Sequence, residues 1–286
     1  MFLPPQALSL RGLGISGKLI TMNILATNDD GIFAEPLWVL AETLKTQFNV
    51  SVAAPDREQS ATGTSVTLRS PLRVRKHTCF TPGISTFSIE GSPSDSVIVA
   101  LGKLFKNTDI VISGINGGLN LGDDVLISGT VGAAMQGYLR GMPAIALSVP
   151  PGSNIATWQN AAHLALIMAD IIKKRTLGTN DFFNINLPNL PISAIKGIKV
   201  TRLAHKTHID TVEEGFDGRH DYYWLVRQQL SKDVPPDSDI WAVENGYISI
   251  TPLHCELFHR PNGALDDLLC INIFDQLIQA ERAGLV

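Results

Sequence analysis

Residues 23–55 read NILATNDDGIFAEPLWVLAETLKTQFNVSVAAP, and this stretch decides the fold class. The apolar run at 23–27 is typical of a short buried strand. Residues 36–48 follow with apolar side chains at helical spacing. A second apolar run at 50–54 ends at Pro55. A strand, a helix and another strand in this order predict a βαβ unit with parallel strands.

The same alternation continues to residue 187. The spacing predicts further strands at 87–89, 109–113, 144–148 and 182–187, and helices at 94–105, 131–139 and 158–173. This order predicts an α/β fold, with a parallel sheet and helices on both faces. Binding sites in such sheets form at the carboxyl ends of the strands, so the residues just after each strand are the candidates for function.

The pattern changes after residue 188. Short strand-like segments at 198–201, 222–226 and 247–251 are separated by turn residues. A helix is expected within 262–286, although residues 271–274 have a strand-like pattern. The predicted domains are therefore an N-terminal extension at 1–21, a core at 22–188, and a β-rich region with a tail at 189–286.

Composition and charge exclude several classes of function. The chain has 286 residues, of which 44% are hydrophobic, and a formal net charge of -4. A sizeable core can form, but no basic patch is available for polymeric nucleic acid. No stretch is apolar enough to span a membrane, and the three cysteines lack zinc-site spacing. Charged residues and prolines interrupt residues 1–21, which do not read as a signal peptide. We therefore expect a cytoplasmic protein.

The first strand ends in the sequence Asn28-Asp29-Asp30-Gly31. Two adjacent carboxylates beyond a strand end are unfavourable unless a positive charge lies between them. Mg²⁺ or Mn²⁺ would supply that charge, because both prefer oxygen ligands. The alternative interpretation is a polar turn or helix cap, which Asn and Asp also favour.

Three further polar loops follow the predicted strands. Residues 56–63 supply a hydroxyl at Ser60, residues 113–124 are rich in Gly and Asn, and residues 128–130 start a helix whose free N–H groups favour anions. Each loop alone is compatible with an ordinary turn or cap. Together they have the parts of a metal-assisted phosphate hydrolysis site. The candidate phosphate-binding residues are Asn28, Gly114, Asn120, Ser128, Gly129 and Thr130.

The order of these motifs resembles the SurE family of 5'-nucleotidases. The matching segments are 28–31, 54–57, 91–95, 113–124, 128–131 and 247–254, within about residues 22–260. The resemblance implies a Rossmann-like core and a β-rich C-terminal part that exchanges elements between the subunits of a homodimer or homotetramer. It also implies hydrolysis of nucleoside 5'-monophosphates, with 3'-monophosphates and short polyphosphate as further substrates.

The same resemblance implies one divalent metal ion per subunit, Mg²⁺ or Mn²⁺, held by Asp29, Asp30, Ser60 and Asn116. It places Asp29, Asp30 and Asn116 among the catalytic residues. One segment departs from the family, which usually follows Asp-Asp-Gly with Ile-His-Ala-Pro-Gly. Here the segment is Ile-Phe-Ala-Glu-Pro at 32–36, a change at the rim of the expected site that leaves the implied ligands intact.

The sequence argues against three rival functions. A haloacid-dehalogenase-type phosphatase needs a nucleophilic Asp where this chain has Asn28. A dinucleotide-dependent oxidoreductase needs a GxGxxG fingerprint that the 113–124 loop lacks. A non-catalytic nucleotide-binding module would gain nothing from the acidic pair without a metal. Metal-dependent turnover separates this last class from the enzyme.

Overall fold

The computed structural model describes residues 22–78, 81–174, 181–205, 208–229, 234–256 and 273–282. The predicted extension at 1–21 lies outside these ranges. The chain up to Leu253 forms one compact unit, and the residues from His254 onward form a second. The domain boundary expected at residue 188 stays a prediction.

Strands and helices alternate through most of the first unit. The strands are β1 (Asn23–Thr27), β2 (Asn49–Pro55), β3 (Val74–His77), β4 (Ser85–Ile89), β5 (Ile110–Asn116), β6 (Ala144–Ser148), β7 (Phe182–Asn186), β8 (Ile198–Val200), β9 (His208–Phe216), β10 (Asp221–Gln229) and β11 (Ile248–Leu253). The helices are α1 (Glu35–Lys45), α2 (Pro93–Val99), α3 (Gly129–Tyr138), α4 (Ile155–Lys173) and α5 (Asp239–Glu244), with α6 (Ile273–Arg282) in the second unit.

One mostly parallel sheet organises the first unit. Its strand order is β3-β4-β2-β1-β5-β6-β7-β11-β8. Six strands are mutually parallel, in the sheet order β4-β2-β1-β5-β6-β7. Strand β3 runs antiparallel to its neighbour β4, and β11 runs antiparallel to its neighbour β7. Strands β9 and β10 form a separate antiparallel hairpin. The predicted α/β class and the smaller β arm are therefore confirmed.

Helices cover both faces of the sheet. On β1, Ile24 and Ala26 pack in the same hydrophobic cluster as apolar residues of α1 and α4. Leu25, between them, packs on the opposite face with Val97 of α2 and Ala133 of α3. Because successive strand residues point to opposite faces, a strand buried on both sides is apolar over most of its length.

The sheet order brings the polar loops together. Strand β1 lies between β2 and β5, and all three run parallel. Thr27 at the end of β1 lies opposite Ser113 of β5. The loops that follow these strands therefore emerge side by side at one edge of the sheet, as predicted.

Several elements differ from the predicted ones. Strands β3 and β9 and helix α5 were not predicted. The helix expected at 94–105 is α2 followed by a π-helical turn at Ala100–Leu104. Helix α2 begins with a capping box in which Ser92 is the N-cap residue and Asp95 is its partner. Helix α6 lies within the predicted C-terminal helix, whose residues 262–272 and 283–286 lie outside the described ranges.

Candidate functional site

A cavity of about 320 Å³ lies at the carboxyl ends of β1 and β5. Six of the ten residues predicted for the site line it, namely Asp29, Asp30, Ser60, Asn116, Asn120 and Ser128. Two more carboxylates, from Glu58 and Asp124, also line the cavity and were not predicted to take part. The cavity is therefore strongly acidic.

Asp29 is buried and held at both carboxylate oxygens by Thr130. The Thr130 backbone N–H donates to Oδ2 over 3.0 Å, and its hydroxyl donates to Oδ1. Gly129 lies so close to Asp29 that an added Cβ would stand 2.9 Å from the aspartate Cβ. These contacts hold the N-terminus of α3 against the C-terminal end of β1. Burial nevertheless raises the pKa of Asp29 above its ordinary value.

Asp30 is less tightly held than its neighbour. Burial, reinforced by the negative charges of Asp29 and Glu58, raises the pKa of Asp30 to about 6, although a hydrogen bond from the Gly117 backbone opposes this. The charged form of Asp30 is therefore poorly compensated by the protein alone. A cation in the cavity would remove this penalty.

The turn that presents the two carboxylates is built by Asn28 and Gly31. The Asn28 amide donates to the Gly31 carbonyl over 3.0 Å and accepts from its N–H over 3.2 Å. Gly31 has φ +97°, and an added Cβ would lie 2.9 Å from the Arg57 carbonyl carbon, so only glycine fits without strain. Asn28 is buried in this turn, which leaves no nucleophile at the position that a haloacid-dehalogenase-type enzyme would use.

The loop after β2 brings the Ser60 hydroxyl to the cavity. Ser60 donates its hydroxyl to the Glu58 carboxylate over 2.9 Å. Ala61, the next residue, has a left-handed φ of +57°, which is uncommon for a residue with a side chain and typical of functional loops. The N–H of Gln59 donates to the Asp29 carbonyl over 2.7 Å. This bond fixes the position of the loop relative to Asp29 and Asp30.

Asn116 ends β5 beside the acidic pair. Its side-chain NH₂ donates to the Gly118 carbonyl over 2.5 Å. The amide is thereby oriented, and its carbonyl oxygen is the atom that could face a cation. Asp30 and Asn116 then supply oxygen atoms from two neighbouring strand ends.

A buried asparagine network holds the loop after β5. Asn120 donates from its side chain to Ser148 over 2.8 Å, and its carbonyl accepts from Asn184 at 2.8 Å and Asn186 at 3.0 Å. The Asn186 side chain also accepts from the Asn120 N–H. The roles of Ser148, Asn184 and Asn186 were not predicted from the sequence. Two asparagines at alternate positions of a buried strand were the available signal.

Asp239 anchors the far end of the same loop and was also missed. It is buried and accepts from the backbone N–H groups of Gly122, Ala204 and Ile240 at 2.7 to 3.0 Å. Burial raises the pKa of Asp239 despite these bonds. Its partners lie 117 and 35 residues away in the chain as well as next to it, so no local pattern predicts them.

The N-terminus of α3 is largely occupied by internal contacts. The Ser128 hydroxyl accepts from the Val131 N–H over 3.1 Å, and the Thr130 N–H is bound to Asp29. The Ser128 N–H donates to the Asp124 carbonyl. At this helix start, the Ser128 hydroxyl proton is the group on the cavity wall that could serve an incoming anion.

Four of the predicted site residues do not line the cavity. Asn28, Gly129 and Thr130 stand directly behind it, in the turn and the helix start that hold Asp29. Gly114 lies within β5 with φ +142°, where an added Cβ would clash with the Leu147 carbonyl. The missing side chain at Gly114 therefore allows β5 to pack closely against the Leu147 backbone of β6.

No helix among the described residues is long and apolar enough to cross a membrane. The family model described as "Survival protein SurE" matches residues 24–210. A protein of Dehalococcoides mccartyi (strain CBDB1) named 5'-nucleotidase SurE is 55% identical over 250 residues, covering 86% of this chain and 94% of the relative. The protein of the same name from Legionella pneumophila is 41% identical over 239 residues, covering 83% and 93%.

A solved structure of a SurE protein is also similar to this chain. The crystal structure of the SurE protein from Aquifex aeolicus superposes with a TM-score of 0.72 at 33% identity, covering 88% of this chain and 99% of that one. The family model matches residues 24–210, a range that includes every described residue lining the cavity. This chain belongs to the SurE family.

Proposed function

We propose that the chain is a divalent-metal-dependent 5'-nucleotidase that hydrolyses nucleoside 5'-monophosphates to nucleoside and phosphate. The observation that carries this proposal is the pairing of Asp29 and Asp30 in one acidic cavity, where burial raises the pKa of both carboxyl groups. Relatives from two bacterial lineages bear the name 5'-nucleotidase SurE.

The residues present fit a hard divalent cation. None of the described residues that line the cavity is a Lys, Arg or His. In the described ranges, no group of three or more His, Cys, Asp or Glu side chains is placed so that these residues alone could hold a metal ion. The donors are instead two carboxylates, the Ser60 hydroxyl and the Asn116 amide oxygen, a set that suits Mg²⁺ or Mn²⁺ better than a thiophilic metal.

The hydrogen bonds that hold these groups determine what each group can do during hydrolysis. When bound, a divalent cation supplies Lewis-acid neutralisation of the phosphate charge. The Ser128 hydroxyl lines the cavity at the positive end of α3, where it can donate to a phosphoryl oxygen. Both oxygens of Asp29 are engaged by Thr130, so Asp30 is the carboxylate that is better placed to accept a proton.

Rigidity of the cavity wall supports the same reaction. The Asn120 network and Asp239 fix the 116–122 loop through buried hydrogen bonds. Groups held in place before substrate binds need not reorganise as charge moves during phosphoryl transfer. The chain's own part in catalysis is therefore to position the phosphate and to hold the cation that would screen its charge.

The hairpin β9–β10 supports a homodimer or homotetramer. Its exposed apolar side chains include Val212, Phe216, Tyr223, Trp224 and Leu225, with Leu225 78% exposed. A two-stranded hairpin is marginal in water, and an exposed apolar surface of this kind marks an interaction site. A second copy of the chain would cover it. The cytoplasmic location expected from the sequence stays a prediction.

Phosphate release from a panel of nucleoside monophosphates tests the catalytic proposal. The assays use Mg²⁺, Mn²⁺ and EDTA, with Asp30→Asn as the variant. Release that requires metal and falls at least a hundredfold in the variant supports the proposal. No release by the wild type from any substrate with either metal would leave a nucleotide-binding module as the better account.

A further inference from the structure

Glu58 is a carboxylate of the acidic cavity that the proposed function does not use. It lines the cavity together with Asp29, Asp30 and Ser60. Among the described residues, no Lys, Arg or His forms an ion pair with Glu58. Neighbouring negative charges disfavour one another, so the stability of the metal-free protein gives no reason for a third carboxylate at this place.

The backbone turns Glu58 and Ser60 toward the same cavity. Both residues line the acidic cavity, whereas Gln59 between them lines a separate one. The Gln59 N–H donates to the Asp29 carbonyl over 2.7 Å, and the Gln59 carbonyl accepts from the Thr62 hydroxyl over 2.8 Å. The peptide groups on both sides of Gln59 are thereby held in place. The Glu58 and Ser60 side chains therefore start from backbone positions that are fixed relative to each other.

The hydrogen bond between these two side chains fixes the orientation of the Ser60 hydroxyl. The hydroxyl donates to Oε1 of Glu58 over 2.9 Å. An ionised carboxylate has no proton to give, so the hydroxyl is the donor. A serine hydroxyl has one proton and two lone pairs, and a hard cation binds oxygen through its lone pairs. Because its proton is engaged by Glu58, the lone pairs of Ser60 Oγ are left for a cation.

We propose that Glu58 is a positioning residue, which holds the Ser60 hydroxyl in the orientation that a divalent cation requires. The inference rests on the proposed function for the cation site formed by Asp29, Asp30, Ser60 and Asn116. Glu58 acts through Ser60 and is not itself a ligand in this account. Partners that orient a metal ligand by a hydrogen bond commonly contribute 10–100-fold in metal affinity. The same size of effect is expected from Glu58.

A double-mutant cycle tests whether Glu58 acts through Ser60. Mn²⁺ affinity is measured by titration calorimetry for the metal-free full chain as wild type, Glu58→Gln, Ser60→Ala and the double variant. Glu58→Gln keeps the shape but offers only a neutral, weaker acceptor. Glu58→Asp keeps the charge on a side chain one methylene shorter. Glu42→Gln is the matched control, because Glu42 also accepts from a hydroxyl, that of Thr81, and does not line the cavity.

Orientation through Ser60 predicts a specific pattern. Glu58→Gln and Glu58→Asp each raise the Kd for Mn²⁺ about tenfold or more, and Glu42→Gln leaves it unchanged. Added to Ser60→Ala, Glu58→Gln changes the Kd by less than about twofold. The melting temperature of Glu58→Gln in EDTA stays equal to wild type or rises, because a negative charge is removed. Equal losses from Glu58→Gln in both backgrounds, or wild-type affinity in Glu58→Asp, would overturn the positioning role.

Phosphate release from AMP over a range of Mn²⁺ concentrations separates this proposal from the catalytic one. In Glu58→Gln the half-maximal Mn²⁺ concentration rises by the same factor as the Kd, and saturating Mn²⁺ restores the rate. A loss that saturating Mn²⁺ does not restore would overturn the positioning role. If the predicted cycle is seen but wild type hydrolyses no nucleoside monophosphate, the inference stands and the catalytic proposal fails. If wild type hydrolyses AMP and Glu58→Gln binds Mn²⁺ normally, the inference alone fails.

Discussion

Thr130 donates two hydrogen bonds to the Asp29 carboxylate, one from its backbone N–H and one from its hydroxyl. This pair joins the N-terminus of α3 to the end of β1 and sets the orientation of the first acidic residue. A partner that orients a metal ligand in this way commonly contributes 10–100-fold in metal affinity. Under the proposal that Asp29 holds the metal, the contact serves function as well as stability.

Replacing Thr130 by Val removes the hydroxyl and keeps the shape of the side chain. We expect the metal-free protein to lose about 1–3 kcal/mol of unfolding free energy, because one buried carboxylate oxygen loses its partner. Mn²⁺ affinity, measured by titration calorimetry, should fall about tenfold or more. Thr130→Ser keeps the hydroxyl and is the matched control. An unchanged Mn²⁺ affinity in Thr130→Val would contradict the role assigned to this contact.

Asp30→Asn should make the metal-free protein more stable at neutral pH. Burial and the neighbouring Asp29 raise the pKa of Asp30 to about 6, so the folded state binds the proton more tightly than the unfolded state does. Stability then falls as pH rises from the ordinary Asp range through about 6. Because Asp30 is only partly buried, we expect about 1–2 kcal/mol in favour of the variant at pH 7.5.

Thermal unfolding in EDTA at pH 7.5 and pH 5 measures this effect. The advantage of Asp30→Asn should shrink at pH 5, where the wild-type carboxyl is mostly protonated. The same variant should lose metal-dependent hydrolysis, so stability and activity change in opposite directions. A variant that is less stable than wild type at pH 7.5 would show that the charge on Asp30 is compensated within the protein.

Gly132→Ala tests the packing of α3 against the loop that carries Ser60. An added Cβ at Gly132 would run into the carbonyl of Gly63, a backbone group that cannot rotate away. We expect a loss of about 1–3 kcal/mol in unfolding free energy from this overpacking. Gly102→Ala is the control, since a Cβ there meets nothing within 4 Å. Equal melting temperatures for the two variants would argue against a tight contact at Gly132.

Trp224→Glu tests whether the hairpin is an assembly surface. Trp224 is 67% exposed on β10, and a charge placed in a buried interface is unfavourable. Light scattering coupled to size exclusion should show a multimer for wild type and a smaller species for the variant at equal concentration. Leu68→Glu, at another exposed site, should keep the wild-type mass. A monomeric wild type would refute the proposed assembly.

The sequence predicted the part of the site that depends on strand ends. Asp29, Asp30, Ser60 and Asn116 follow three parallel strands, and parallel strands bring their carboxyl ends to one edge. This convergence is confirmed by the sheet order. Their predicted role in holding a metal stays a prediction.

Other elements lacked a signal that can be read locally. Strand β3 reads VRKH, and an exposed edge strand of this kind shows no apolar alternation. Helix α5 has six residues, too few to establish a helical period. The roles of Asn120 and Asp239 depend on partners far along the chain. Only the folded sheet reveals that these side chains hold the site loop.

Locating the cation tests the central claim most directly. A crystal of the full chain soaked in Mn²⁺ would be measured for anomalous scattering. The account predicts one peak per subunit in the acidic cavity, within coordination distance of Asp30 and the Asn116 amide oxygen and lost in Asp30→Asn crystals. A peak away from these residues, or none at saturating Mn²⁺, would contradict the account.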